Sequence, residues 1–104
     1  MFGDYDLDIE LANSKSSVMK LEFDKPALKG LRKMPAKART SMLVKLDAIA
    51  ADPFARHPFD VKAMKGMKDV FRVRQGDWRA MYEVIRVGDT VLVLIIDVRG
   101  EVYE

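Results

Sequence analysis

The chain's 104 residues are enough for one domain with a modest core, burying roughly two thirds of the surface its unfolded form would expose, and leave little room for a second. Hydrophobic residues at 49% and charged residues at 33% give the balance of a folded protein rather than a disordered one. There is no cysteine and a single histidine, His57, which excludes disulfides, thiolate chemistry and sulfur-held zinc; the expectation is no metal and no cofactor. The net charge of +2 conceals an asymmetry. Asp4, Asp6, Asp8 and Glu10 against Lys15 give residues 1–18 a charge of −3, which leaves +5 for the remainder. A basic body suits a polyanion such as RNA and equally an acidic protein partner.

Residues 1–17 have weak periodicity and read as an acidic extension, mobile or loosely docked, ahead of a single domain over residues 18–104. From Val18, "VMKLEFD" alternates as a half-buried strand does, with Val18, Leu21 and Phe23 as the expected buried members. Asp24 followed by Pro26 opens a short helix to about Lys33, the Asp side chain capping free amides and the proline suiting the first turn. Pro35 opens a second helix. In it Met42, Leu43, Leu46, Ile49 and Ala50 form one apolar stripe, ended by Asp52 and Pro53.

Residues 54–68 read as a connector with a short edge strand, and His57 within it as a surface loop residue. Three strands follow, over residues 69–75, 78–87 and 90–98, joined by the turns "QGD" and "VGD". The last is apolar at nearly every residue, the pattern of a central strand covered on both faces. The whole reads as an α+β domain: strand, helix, helix, strand, strand, strand, with the two N-terminal helices packed on a mostly antiparallel sheet of about four strands. The longest apolar run, Val91 to Ile96, is too short to cross a bilayer, and the N-terminus is acidic where a secretory signal is basic and then apolar; a cytoplasmic location is expected.

The hairpin "DVFRVRQGDWRAMYEV" carries the chemistry. Arg72 and Arg74 share one face of the first strand, and Arg79, Met81 and Glu83 share one face of the second, so Arg79 can meet Arg72 or Arg74 across the hairpin. Like charges in that position destabilise a sheet unless an anion or a nearby acid, Asp77 or Glu83, compensates them. Lys62, Lys65 and Lys68 on the approach extend the basic patch. Trp78 and Tyr82 take the opposite face and are expected in the core, while the methionines at 34, 42, 64, 67 and 81 read as gap-filling core or an adaptable partner surface. Spacing alone leads to an anion-binding concavity.

The segments "VKAMKGMKDVFRVRQGDWRAMYEV" and "VLVLIIDVRGEVYE", with "DKPALKGLRKMP" and "LDAIAADPF" before them, resemble the RelE/ParE superfamily of bacterial toxins from type II toxin–antitoxin modules. The resemblance runs from about Met19 to Glu104, and the "R-G-E-V-Y" ending favours the RelE-like branch. It implies a ribosome-dependent, metal-independent endoribonuclease that cuts messenger RNA and is held inactive by a cognate antitoxin, with operator DNA as a further partner of the complex. By match to the pattern, the site residues are Arg72, Arg74, Arg79, Arg99 and Tyr103; Lys62, Lys65 and Lys68 of the basic patch are expected to bind RNA or another anion. The 2′-hydroxyl would attack the adjacent phosphate and expel the 5′-oxygen, and Arg79 is the first choice for the phosphate clamp. RelE-like toxins often carry lysine where Arg72 and Arg74 stand, and arginine has no useful neutral form with which to take a proton. Tyr103 near Arg99, then Glu101 and Glu83, are the remaining acceptors. Two other readings share the fold: a ParE-like poison of DNA gyrase, and a non-catalytic member that binds its antitoxin.

Overall fold

The computed structural model describes residues 18–98, so the acidic extension and the C-terminal candidates Arg99, Glu101 and Tyr103 lie outside the described residues. The elements are β1 (Lys20–Phe23), α1 (Lys25–Lys33), α2 (Ala36–Ala51), β2 (Val61–Ala63), β3 (Val70–Gln75), β4 (Trp78–Ile85) and β5 (Thr90–Val98). They form one sheet in the order β1-β5-β4-β3-β2, with β1 parallel to β5 and the other pairs antiparallel. This is the expected α+β arrangement. The fifth strand is β2, the short edge piece within the connector.

In β1 the buried parity runs through Met19, Leu21 and Phe23, all packed on the core. Val18 falls on the other parity and is 65% exposed, which corrects its placement in the core. Asp24 precedes α1 in extended conformation, yet its side chain makes no capping hydrogen bond. Its carbonyl accepts the first-turn amide of Leu28 at 3.0 Å, and Pro26 supplies the helical φ. The corner between the helices is tied by a side chain that periodicity does not reveal: Arg39 donates from Nε to the Leu31 carbonyl at 2.9 Å and from Nη2 to the Met34 carbonyl at 2.8 Å. The Leu31 carbonyl also accepts the Met34 amide at 3.3 Å, so the arginine reinforces a closed helix end and ties it to α2.

Met42, Leu46, Ile49 and Ala50 of α2 are buried as the stripe predicts, with Leu43 on its flank. The helices cover one face of the sheet, and that face carries Val73, Ala80, Tyr82, Val84, Val91, Val93 and Ile96. Val93 and Ile96 both point inward because Met81 pairs with Ile95 and Tyr82 with Val93, leaving Leu94 as a one-residue bulge. β5 is an interior strand as expected, but its coverage is unequal. Leu92, Leu94 and Ile95 are only half-buried, whereas the helix side is closed. The β3–β4 hairpin turns on Gly76 and Asp77, with Gly76 at φ 60°, where a side chain would be strained. β4 ends at Ile85, two residues short of expectation, because Arg86 to Asp89 form the next turn, with Gly88 at φ 94° and Asp89 at φ 48°.

Tyr82 is fully buried and its ring stacks on Phe71 at 5.6 Å, so it serves the core, as its parity predicts. Its hydroxyl has no hydrogen-bond partner, and burial pushes the phenol pKa up. An unsatisfied buried hydroxyl costs about 1–3 kcal/mol. Replacing Tyr82 by Phe is therefore expected to raise stability by about 1 kcal/mol in urea unfolding. A loss of similar size would place a partner on that hydroxyl.

Candidate anion-binding site

The face of the sheet away from the helices gathers the hairpin arginines. In the β3–β4 register Arg74 stands directly opposite Arg79 and Arg72 opposite Met81. On the edge strand Lys62 stands opposite Arg72, and on the other side Asp97 stands opposite Arg79. Three arginines and a lysine thus share one surface across three strands, which is the juxtaposition that the alternation predicts.

Their environments differ. Arg74 is exposed, with half of its side-chain surface open, whereas Arg72 and Arg79 are only 4% and 5% exposed. Arg79 Nη1 donates to the Gly76 carbonyl at 3.3 Å, anchoring the guanidinium beside the hairpin turn. Among the described residues, the carboxylate paired with Arg72 and Arg74 is Asp60, which immediately precedes β2. Its Oδ2 lies 3.3 Å from Arg72 Nη1 and 3.6 Å from Arg74 Nε. The hydrogen bond from Arg72, backed by the charges of Arg72, Arg74 and Arg79, holds the Asp60 carboxyl below its ordinary pKa despite a little desolvation. The backbone fixes the same residue, since the Arg74 amide donates to the Asp60 carbonyl at 3.2 Å. Reading residues 54–68 as a strand antiparallel to "VFRVR" would have put Asp60 beside Arg74; reading them as a connector hides it.

Lys45 is a second residue that pattern reasoning misses. From α2 its Nζ donates to the Arg74 carbonyl at 2.9 Å and sits 5.7 Å from the Phe59 ring centre. Of the predicted RNA-binding lysines, Lys62 lies in the row. Lys65 and Lys68 are exposed in the turn before β3, at the end of that strand away from Arg74 and Arg79. Glu83 is equally remote, opposite Val70. His57 stacks on Phe59 at 5.1 Å, with Nε2 3.0 Å from the Asp52 carbonyl, and so holds the loop together. Next to that loop a recess of about 420 Å³, lined chiefly by Phe54, Phe59, Val61 and Phe71, contains none of the predicted site residues. No helix among the described residues is long and apolar enough to cross a membrane.

The site can hold an anion through fixed guanidinium forks, with a carboxylate poised inside the same cluster. Against known proteins, no family model matches the chain. A Methanocaldococcus jannaschii protein named "Putative toxin RelE1" is 27% identical over 84 residues, which span 81% of this chain and 93% of the relative. Among solved structures, the archaeal RelE–RelB complex from Pyrococcus horikoshii superposes with a TM-score of 0.68 at 26% identity, covering 82% of this chain and 99% of that one. The intact E. coli RelBE toxin–antitoxin complex gives 0.69 at 26% identity, covering 80% and 99%. In sequence and in fold the chain is RelE-like, as its hairpin motifs imply.

Proposed function

We propose that this RelE-like chain is the toxin of a type II toxin–antitoxin pair and that it inhibits translation by cutting messenger RNA on the ribosome. The observation that carries the reading is the row formed by Arg72, Arg74 and Arg79 on one face of a RelE-like sheet. Cleavage by an internal 2′-hydroxyl puts extra negative charge on the phosphate oxygens, and pre-placed guanidinium groups stabilise that charge most where water is sparse. Arg79, enclosed and anchored at the turn, and Arg74, open to solvent, are the clamp. Arg72 and Lys62 orient the strand. Arg99 and Tyr103 complete the set on the RelE pattern, as residues that favour and relay a proton.

The partner that restrains this site is an antitoxin, a reading supported by solved RelE–RelB complexes among the similar structures. An acidic segment of it would neutralise the arginine row. We place the pair in the cytoplasm, with operator DNA bound through the complex. A non-catalytic, antitoxin-binding role is the second reading, favoured by arginine at both strand positions.

Induced expression distinguishes these readings. The proposal predicts that amino-acid incorporation stops before DNA synthesis is affected. DNA damage with continuing translation would indicate a gyrase poison. Growth without arrest would indicate the non-catalytic role.

A further inference from the structure

We propose that Asp60 is the general base of this site, taking the proton from the 2′-hydroxyl of an RNA nucleotide whose phosphate is held by Arg74 and Arg79. The assignment rests on the endonuclease reading above and gives it, among the described residues, a group that takes the first proton. Arginine cannot accept a proton near neutral pH. Tyr82 is enclosed on the helix side of the sheet. Glu83 is opposite Val70, four residues along β4 from Arg79 and hence about 13 Å away. Asp60 is already inside the cluster, 3.3 Å from Arg72 and 3.6 Å from Arg74, and about half of its side chain is open to an incoming ribose.

The geometry also accounts for how the carboxylate is kept ready. The arginines hold it ionised when the site is free of RNA. When a phosphate engages Arg74, part of the cationic field at Asp60 is offset and the carboxylate becomes more basic at the moment a base is needed. In the step itself the 2′-oxygen loses its proton to Asp60 and bonds to phosphorus, the bond from phosphorus to the 5′-oxygen breaks, and water protonates the departing oxygen. Asp60 then returns its proton to solvent. The products are a 2′,3′-cyclic phosphate and a 5′-hydroxyl end.

The test is single-turnover cleavage of a defined message on purified ribosomes, from about pH 5.5 to 8, with the full-length chain and its Asp60→Asn and Asp60→Glu variants. With its carboxylate held ionised throughout this range, the wild type is expected to cut at a rate that is nearly independent of pH. Asp60→Asn is expected to cut roughly 10²–10⁴-fold more slowly, to bind programmed ribosomes no more weakly, and to leave a residual rate that rises with pH as hydroxide replaces the lost base. Asp60→Glu is expected to retain activity and the flat profile. The backbone bond from Arg74 remains in both variants. Should Asp60→Asn fail to fold, the wild-type profile decides, since a rate that climbs with pH across this range would show that an ionised carboxylate is not the base. Folded Asp60→Asn cutting within tenfold of wild type, or a wild-type rate that climbs with pH, would overturn the assignment while leaving the endonuclease reading intact. A wild-type chain that cuts nothing would overturn the reading, and the assignment with it.

Discussion

Arg79→Ala is expected to slow message cleavage by roughly 10²–10³-fold while the chain stays folded, because removing one preorganised donor to a developing oxyanion has an effect of that size. Arg79 is closely confined: 5% exposed, opposite Arg74 on one side and Asp97 on the other, and tethered to the Gly76 carbonyl. A guanidinium so confined is positioned before the substrate arrives, and little rotamer freedom is lost on binding. Arg79→Lys keeps the charge but loses the fork, so it is expected to recover only part of the rate. Lysine restoring the full wild-type rate would show that a point charge is enough. The measurement is single-turnover cleavage on programmed ribosomes, with circular dichroism confirming the fold.

Gly30→Ala is expected to destabilise the protein by about 3 kcal/mol, although alanine is the better helix former by about 1 kcal/mol. A β-carbon at position 30 would fall on the carbonyl group of Ile96 in β5. The obstacle is backbone on both sides, so no side chain can turn away to make room. α1 would have to lift from the sheet, opening the contacts made by Ala27 and Met34, both of which are buried. Gly66 is the control: a β-carbon there meets nothing within 4 Å, and only its φ of 77° opposes substitution. Gly66→Ala is therefore expected to cost about 1 kcal/mol. Equal losses at the two positions in urea unfolding would show that α1 does not rest on β5 as described.

Much of this architecture was legible because local pattern and tertiary demand agree. The α2 stripe and the alternation of β3 and β4 each match one periodicity, so the buried face and the arginine face follow directly from the sequence. Val18 is exposed because the two-residue period of β1 begins at Met19 and not at the branched residue before it. The Arg39 tie and the approach of Gly30 to Ile96 arise from how separate elements meet, which no local pattern encodes.

The site divides in the same way. That Arg72, Arg74 and Arg79 share a surface follows from pleat and turn length. That Asp60 neutralises two of them depends on the register of β2, the expected edge strand, which at three residues is too short to fix its pairing by alternation. The unequal enclosure of the row is a further tertiary fact: Arg72 and Arg79 are buried and Arg74 is open, though all three have the same parity.

Action of the arginine row on RNA, as proposed, runs through the nucleotide's own 2′-hydroxyl. The most direct measurement uses a message that carries a single 2′-deoxy nucleotide on the 5′ side of the bond the chain cuts, read on programmed ribosomes with ends mapped. Cleavage at that bond is expected to vanish while the all-ribose message is cut to a 2′,3′-cyclic phosphate and a 5′-hydroxyl. Undiminished cutting at the deoxy linkage would contradict the mechanism proposed for the row.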